Sequence, residues 1–191
     1  MIQLNTEKIN SHAPYKVTGI SDDTVEFTTD NGVEYRVTFM EDDTIWEKHA
    51  YQLVIINKNK KASPNDDKFR LTLFVIIEAF FTWNSNILLY ICETGDGKQA
   101  ARSRLFLRWF GNYTKAQNYY FKDAEIVSED VSNYAAIIVR QDNPRLPEIK
   151  QEFEEVTTIL SNKHLQTQQK MGLIYLLTES GKNKISIKKN R

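Results

Sequence analysis

The run from Val25 to Phe39 constrains this chain more than any other. Val25-Glu-Phe-Thr-Thr alternates apolar and polar side chains, Asp30-Asn31-Gly32 interrupts, and Val33-Glu-Tyr-Arg-Val-Thr-Phe alternates again. A period of two sends successive side chains to opposite faces of a strand. Asn-Gly suits the primed turns, whose twist matches that of the flanking strands. The spacing predicts a β-hairpin with Val33, Tyr35, Val37 and Phe39 on one face and Glu34, Arg36 and Thr38 on the other.

The segments beyond the hairpin supply a covering layer. Tyr51 to Ile56 reads as a third strand, and Asn57 to Asp67 as a polar loop. Asp66 or Asp67 can cap a helix in which Phe69, Leu73, Ile76, Ile77, Phe80 and Trp83 form one apolar arc. Leu71, Phe74, Val75 and Phe81 fall outside that arc and raise the expectation of a homodimer or a structural homo-oligomer. Ile87 to Cys92 is almost uninterruptedly apolar, as a strand buried on both faces would be. A second helix is expected over about Gly97 to Phe110, capped by Thr94 or Asp96 and closed by Gly111. Short strands near 124–127 and 134–140 precede a helix from Pro147 to about Leu160. The order β-β-β-α-β-α-β-β-α predicts an α+β domain: a mainly antiparallel sheet of about five or six strands with helices packed on one side.

At 191 residues, the chain has room for one substantial core. The expected division is an N-terminal lead (1–13), a single domain (14–162) and a basic tail (163–191). That tail carries seven basic side chains against Glu179 alone, in a chain of zero formal net charge. It lacks the apolar density to fold by itself. No secretory leader or membrane-length apolar run is evident, and Cys92 is the one cysteine. A reducing, cytoplasmic setting is the expectation.

Between Lys98 and Lys122 lie six basic residues, seven aromatic ones and no Asp or Glu. In a chain that is neutral overall, this is where an acidic protein or RNA would bind. Lys98, Arg102, Arg104 and Arg108 would contact such a partner, and Tyr113 and Tyr119 could stack on bases. The opposing reading is equally physical. An amphipathic helix buries part of itself, so Arg102 or Arg104 would pair internally with Glu93 or Asp96. The run Tyr119-Tyr120-Phe121 could likewise open a strand and point into the core.

Catalytic signals are poor. The run Cys92-Glu-Thr-Gly-Asp-Gly-Lys-Gln99 sits where a phosphate loop would lie, but it lacks the first glycine and the Ser or Thr that holds magnesium. His12, His49 and His164 have no metal-ligand spacing, so no metal or cofactor is expected. Glu78 falls on the polar side of its helix. An enzyme, if there is one, would be a nuclease or phosphate-ester hydrolase using Glu93 or Asp96 beside Arg102 and Arg104.

Two strings carry a resemblance: Val25 to Phe39, and Leu89-Tyr-Ile-Cys-Glu-Thr-Gly-Asp-Gly-Lys-Gln-Ala-Ala-Arg-Ser-Arg-Leu-Phe-Leu-Arg-Trp-Phe110. Together they resemble the uncharacterised bacterial domain-of-unknown-function family DUF6169, over about residues 14–160. The second string matches the family pattern at Asp96, Gly97, Gln99, Ala100, Arg102, Arg104, Leu105, Phe106, Trp109 and Phe110. Glu93, Thr94 and Lys98 stand where the family usually has Asp, Ser and Arg. The resemblance brings no activity with it. It leaves the basic tail outside and implies that the arginine-bearing helix matters.

Overall fold

The computed structural model describes residues 2–43, 49–92, 97–128 and 131–161. The basic tail and the Glu93–Asp96 turn, with both of its acids, lie outside the described residues. The hairpin is present: β2 (Thr24–Thr28) pairs antiparallel with β3 (Glu34–Glu41), Val25 opposite Val37 and Phe27 opposite Tyr35. Its turn differs from the primed form. Gly32, not Asn31, takes the positive φ (69°), and Gly32 N–H donates to Thr29 C=O at 2.8 Å. A turn followed by a left-handed glycine closes the hairpin one residue later than a two-residue loop does.

Around the hairpin the chain builds a seven-stranded sheet, larger than expected, in the order β1-β2-β3-β4-β5-β7-β6. The additions are β1 (Val17–Ser21) at one edge, β4 (Ala50–Asn57), β5 (Ile87–Cys92), β6 (Tyr119–Ser128) and β7 (Val131–Arg140). Every pairing is antiparallel except β4 with β5, which are joined by α2 (Asp67–Phe80). Parallel neighbours need such a crossover, because a tight turn cannot reverse the chain twice. Asp66 caps α2, its Oδ1 accepting Phe69 N–H at 3.0 Å, while its Oδ2 accepts Tyr15 O–H at 2.8 Å.

The N-terminal residues are more than a lead. Ile2, Leu4 and Ile9 are buried in the main core, and α1 (Thr6–Asn10) rests beside β1 and α2. Apolar residues spaced too sparsely to show a period still close the end of the core.

Helices occupy both faces of the sheet, where one was expected. Along β5, Leu88 and Tyr90 belong to the cluster with α2 and α3 (Gln99–Gly111), whereas Ile87 and Leu89 join Ile149 and Phe153 of α4 (Leu146–Ser161). The same alternation holds in β7, where Ile138 faces one cluster and Ile137 and Val139 the other. An unbroken apolar run marks two covered faces, and α4 is what covers the second.

The apolar residues reserved for an oligomer are mostly used within the chain. Phe74 is 4% and Phe81 1% exposed, the former stacked on Tyr113 at 4.4 Å between ring centroids. Leu71 remains exposed, as does Trp83 past the end of α2.

Candidate functional site

The strand pair β4–β5 is where the sheet opens. Pairing runs only from Ala50↔Ile87 to Gln52↔Leu89, although β4 stays paired with β3 out to Asn57 and β5 with β7 out to Cys92. Past Gln52 and Leu89 the two parallel strands diverge toward their carboxyl ends, the usual side for ligand crevices in sheets with parallel strands. Between them lies a cleft of about 330 Å³, walled by Leu53–Ile55 and Tyr90–Cys92 and overhung by Arg102, Leu105, Phe106 and Trp109 of α3. A second hollow of about 470 Å³ shares Ser63, Phe69, Leu105 and Trp109 with it and continues past Arg108 to the α2 N-terminus. The groove so formed follows the length of α3.

Helix α3 starts later than expected, at Gln99, and no side chain bonds its first turn from the Lys98 position; Gly97 reaches it with φ 69°. Gly111 is not a left-handed cap. It is the last helical residue, and Asn112 N–H closes the helix on Arg108 C=O at 3.2 Å.

The helix wheel separates the predicted arginines. Phe106 and Phe110 are buried beneath. Arg102 lines the cleft, where its charge acts on Tyr90 and Cys92. Arg108 stands at the outer hollow, while Arg104 is exposed on the far side of the helix from Phe106. Neither Arg104 nor Arg108 forms an ion pair among the described residues. In the last turn, Arg108 also suits the negative end of the helix dipole. Lys98 is exposed and Arg102 half-buried, each with interactions of its own.

The rest of the basic-aromatic stretch does not gather with them. Tyr113 lies flat on Phe74 and donates its hydroxyl to Glu78. Lys115 pairs with the same carboxylate at 2.7 Å, so Glu78, expected on a solvated face, anchors the loop after α3. Tyr119 packs against Phe81 and Phe110, and burial pushes its hydroxyl pKa up. Tyr119-Tyr120-Phe121 opens β6, with Tyr119 and Phe121 on the α3 side and Tyr120 on the α4 side. Lys122, between Tyr120 and Ala124 in the alternation, also turns to the α4 face.

Inside the cleft, Tyr90 stacks on Phe106 at 4.2 Å, and Phe69 lies between Tyr35 (4.4 Å) and Trp109 (5.8 Å). Burial pushes the Cys92 thiol up, partly offset by a hydrogen bond with Tyr90 and by Arg102. Burial also raises Tyr90, with Cys92 adding to the effect, so both groups hold their protons. Neither is poised as a nucleophile. Among the described residues no group of His, Cys, Asp or Glu could hold a metal ion.

A family model matches residues 65–155, from just before the α2 cap to within α4. The family is DUF6169, a family of unknown function. The DUF6169 match takes in α2, β5, α3, β6 and β7, hence the arginine-bearing helix and one wall of the cleft; the Val25–Phe39 hairpin and β4 lie outside it. No curated protein matches. Among solved structures, the chain is similar to a probable acetyltransferase of the GNAT family from Chromobacterium violaceum, at 12% identity and a TM-score of 0.33. That alignment covers 62% of this chain and 57% of the other, so the chain spans little more than half of that structure.

Nothing in the sequence marks the β4 wall, Ser63 or Phe69 as parts of a site. The one signal near them is the β-α-β order around α2, which implies a parallel pair but not where it parts.

Proposed function

We propose that this protein is a binding protein, not an enzyme, and that the outer side of α3 receives an acidic segment of a partner protein. The observation that carries this reading is the pair Arg104 and Arg108. Both are exposed and a turn apart on one helix, Arg108 at the rim of the groove and Arg104 outside it. Among the described residues neither has an ion pair, and no Asp or Glu lines the inner part of that groove. The two acids at its outer end are engaged elsewhere, Asp66 by the α2 cap and the Tyr15 hydroxyl and Asp67 by Arg70. An exposed arginine that internal pairing does not account for is available to a carboxylate, which its planar fork binds in bidentate fashion.

An acidic protein is favoured over RNA because the rings that would stack bases are occupied: Tyr113 on Phe74, Tyr119 against Phe81 and Phe110. The hydrolase reading requires Arg102 and Arg104 to converge on one substrate, and they leave α3 in different directions.

Poly-L-glutamate is a sufficient probe. Fluorescence anisotropy should report binding that weakens as salt rises and is lost in the Arg104→Glu/Arg108→Glu protein, with the circular dichroism of that variant unchanged. Absence of binding at low salt, or binding indifferent to both reversals, would overturn the reading.

A further inference from the structure

We infer that the opening between β4 and β5 is a strand-acceptor slot, which takes the main chain of an extended acidic peptide segment from a partner protein. This rests on the reading of α3 given above and adds how the partner is held.

The direction of the backbone groups points to such a ligand. In antiparallel pairing, alternate residues turn their N–H and C=O toward one neighbour and the rest toward the other. Asp42 N–H donates to Ala50 C=O at 2.9 Å, which turns the even-numbered residues of β4 toward β3. Ile87 N–H donates to His49 C=O at 2.7 Å, which turns the odd-numbered residues of β4 and β5 toward their shared seam. That seam is zipped only as far as Gln52↔Leu89. Ile55 on one wall and Ile91 on the other therefore direct main-chain donors and acceptors into the cleft, with no ladder partner among the described residues.

Backbone groups left in a crevice call for a partner. A chain of amides offers both a donor and an acceptor at each step, as strand-addition ligands do. Gln52 adds a second signal: it lines the cleft, and its side-chain oxygen Oε1 is buried without a hydrogen-bond partner.

Side chains set the occupant's character. Leu53, Leu105, Phe106, Trp109 and Phe69 give the slot an apolar wall, suited to alternate apolar residues of an extended segment. Among the described residues Arg102 is the only charged one lining the slot itself; where it continues outward, Asp67 pairs with Arg70, Asp66 caps α2, and Arg108 has no ion pair. A carboxylate at the outer end of the segment complements Arg108, whereas a basic segment would meet like charge from it and from Arg102.

The test uses the full-length protein and three probes: poly-L-glutamate, a labelled synthetic peptide alternating Glu and Val, and the same peptide N-methylated at every second amide. N-methylation removes main-chain donors without touching the protein. The alternating peptide should bind more tightly than poly-L-glutamate, and its N-methylated form about tenfold more weakly, the loss expected for one or two main-chain hydrogen bonds. Leu105→Trp, which fills the slot from a half-exposed position, should weaken the alternating peptide and spare poly-L-glutamate. If both polymers bind alike and N-methylation changes nothing, the slot is overturned while the acidic-partner reading stands. If neither binds at low salt, both readings fall, and a short single-stranded RNA that binds instead would identify α3 as a nucleic-acid surface.

Discussion

Ile137 and Ile138 are adjacent in β7 and both fully buried, yet they face opposite layers: Ile137 shares a cluster with Phe153 of α4, and Ile138 belongs to the core beneath α2 and α3. A double-mutant cycle can read that geometry. Phe153, 2% exposed, is held between α4 and the strands bearing Leu89 and Val139. Phe153→Ala should therefore cost about 3–5 kcal/mol, the usual range for opening a cavity of that size in a core. Ile137→Val and Ile138→Val should each cost about 1 kcal/mol alone. Combined with Phe153→Ala, Ile137→Val should show a coupling of at least about 0.5 kcal/mol, since the two share one cavity, and Ile138→Val less than that. Urea denaturation followed by circular dichroism measures all of these, and Ile159→Ala, at an exposed position, serves as the control and should stay within about 0.5 kcal/mol of the parent. Coupling to Ile138 in place of Ile137 would put α4 on the wrong face. A cost for Phe153→Ala no larger than that of Ile159→Ala would mean that α4 is not seated at all.

Other consequences can be checked alongside. Asp66→Ala removes both the α2 cap and the acceptor for the Tyr15 hydroxyl, and should destabilise by about 1–3 kcal/mol in thermal denaturation, with Asp66→Asn losing less. Hydrogen bonds from Lys58 and Arg36 outweigh the opposing effect of burial and hold the Glu26 carboxyl below its ordinary range. Its contribution is therefore present above the unfolded carboxylate pKa and lost as pH falls through the folded one, so Glu26→Gln should flatten the acid limb of a stability-versus-pH curve. Cys92 is buried with its thiol pushed up; it should react with a disulfide reagent only slowly in the native protein and rapidly in denaturant. Tyr113→Phe keeps the stack on Phe74 and loses the bond to Glu78; it should cost about 1 kcal/mol of stability and leave poly-L-glutamate binding unchanged.

Much of the fold is legible in the sequence because its periods are strong. Val33, Tyr35, Val37 and Phe39 are all buried as their alternation requires, and Ile87–Cys92 is a strand over those same residues. Elements with weak periods are not legible. Val17–Ser21 is short with four of its five residues exposed, and α1 is a helix of 5 residues, so neither offers a face to count. The side of the sheet that α4 takes is a tertiary choice; its own stripe of Ile149, Phe153 and Leu160 would serve on either face.

The site was half legible. The absence of acids between Lys98 and Lys122 marks α3, but composition cannot tell Arg104, which points outward, from Arg102, which points into the cleft. Nor can it show that Lys115 is neutralised by Glu78 from another helix. The parting of β4 from β5 is a matter of register and has no sequence signature.

The acidic-partner site on α3 stands or falls on where a bound acid sits on the protein. Titrating poly-L-glutamate into isotopically labelled full-length protein and following amide shifts by NMR gives a residue map in one experiment. Shifts should cluster at Arg104 and Arg108, on the outer side of α3. Shifts confined to the basic residues of 163–191, or to the Lys58–Lys61 loop, would contradict that placement.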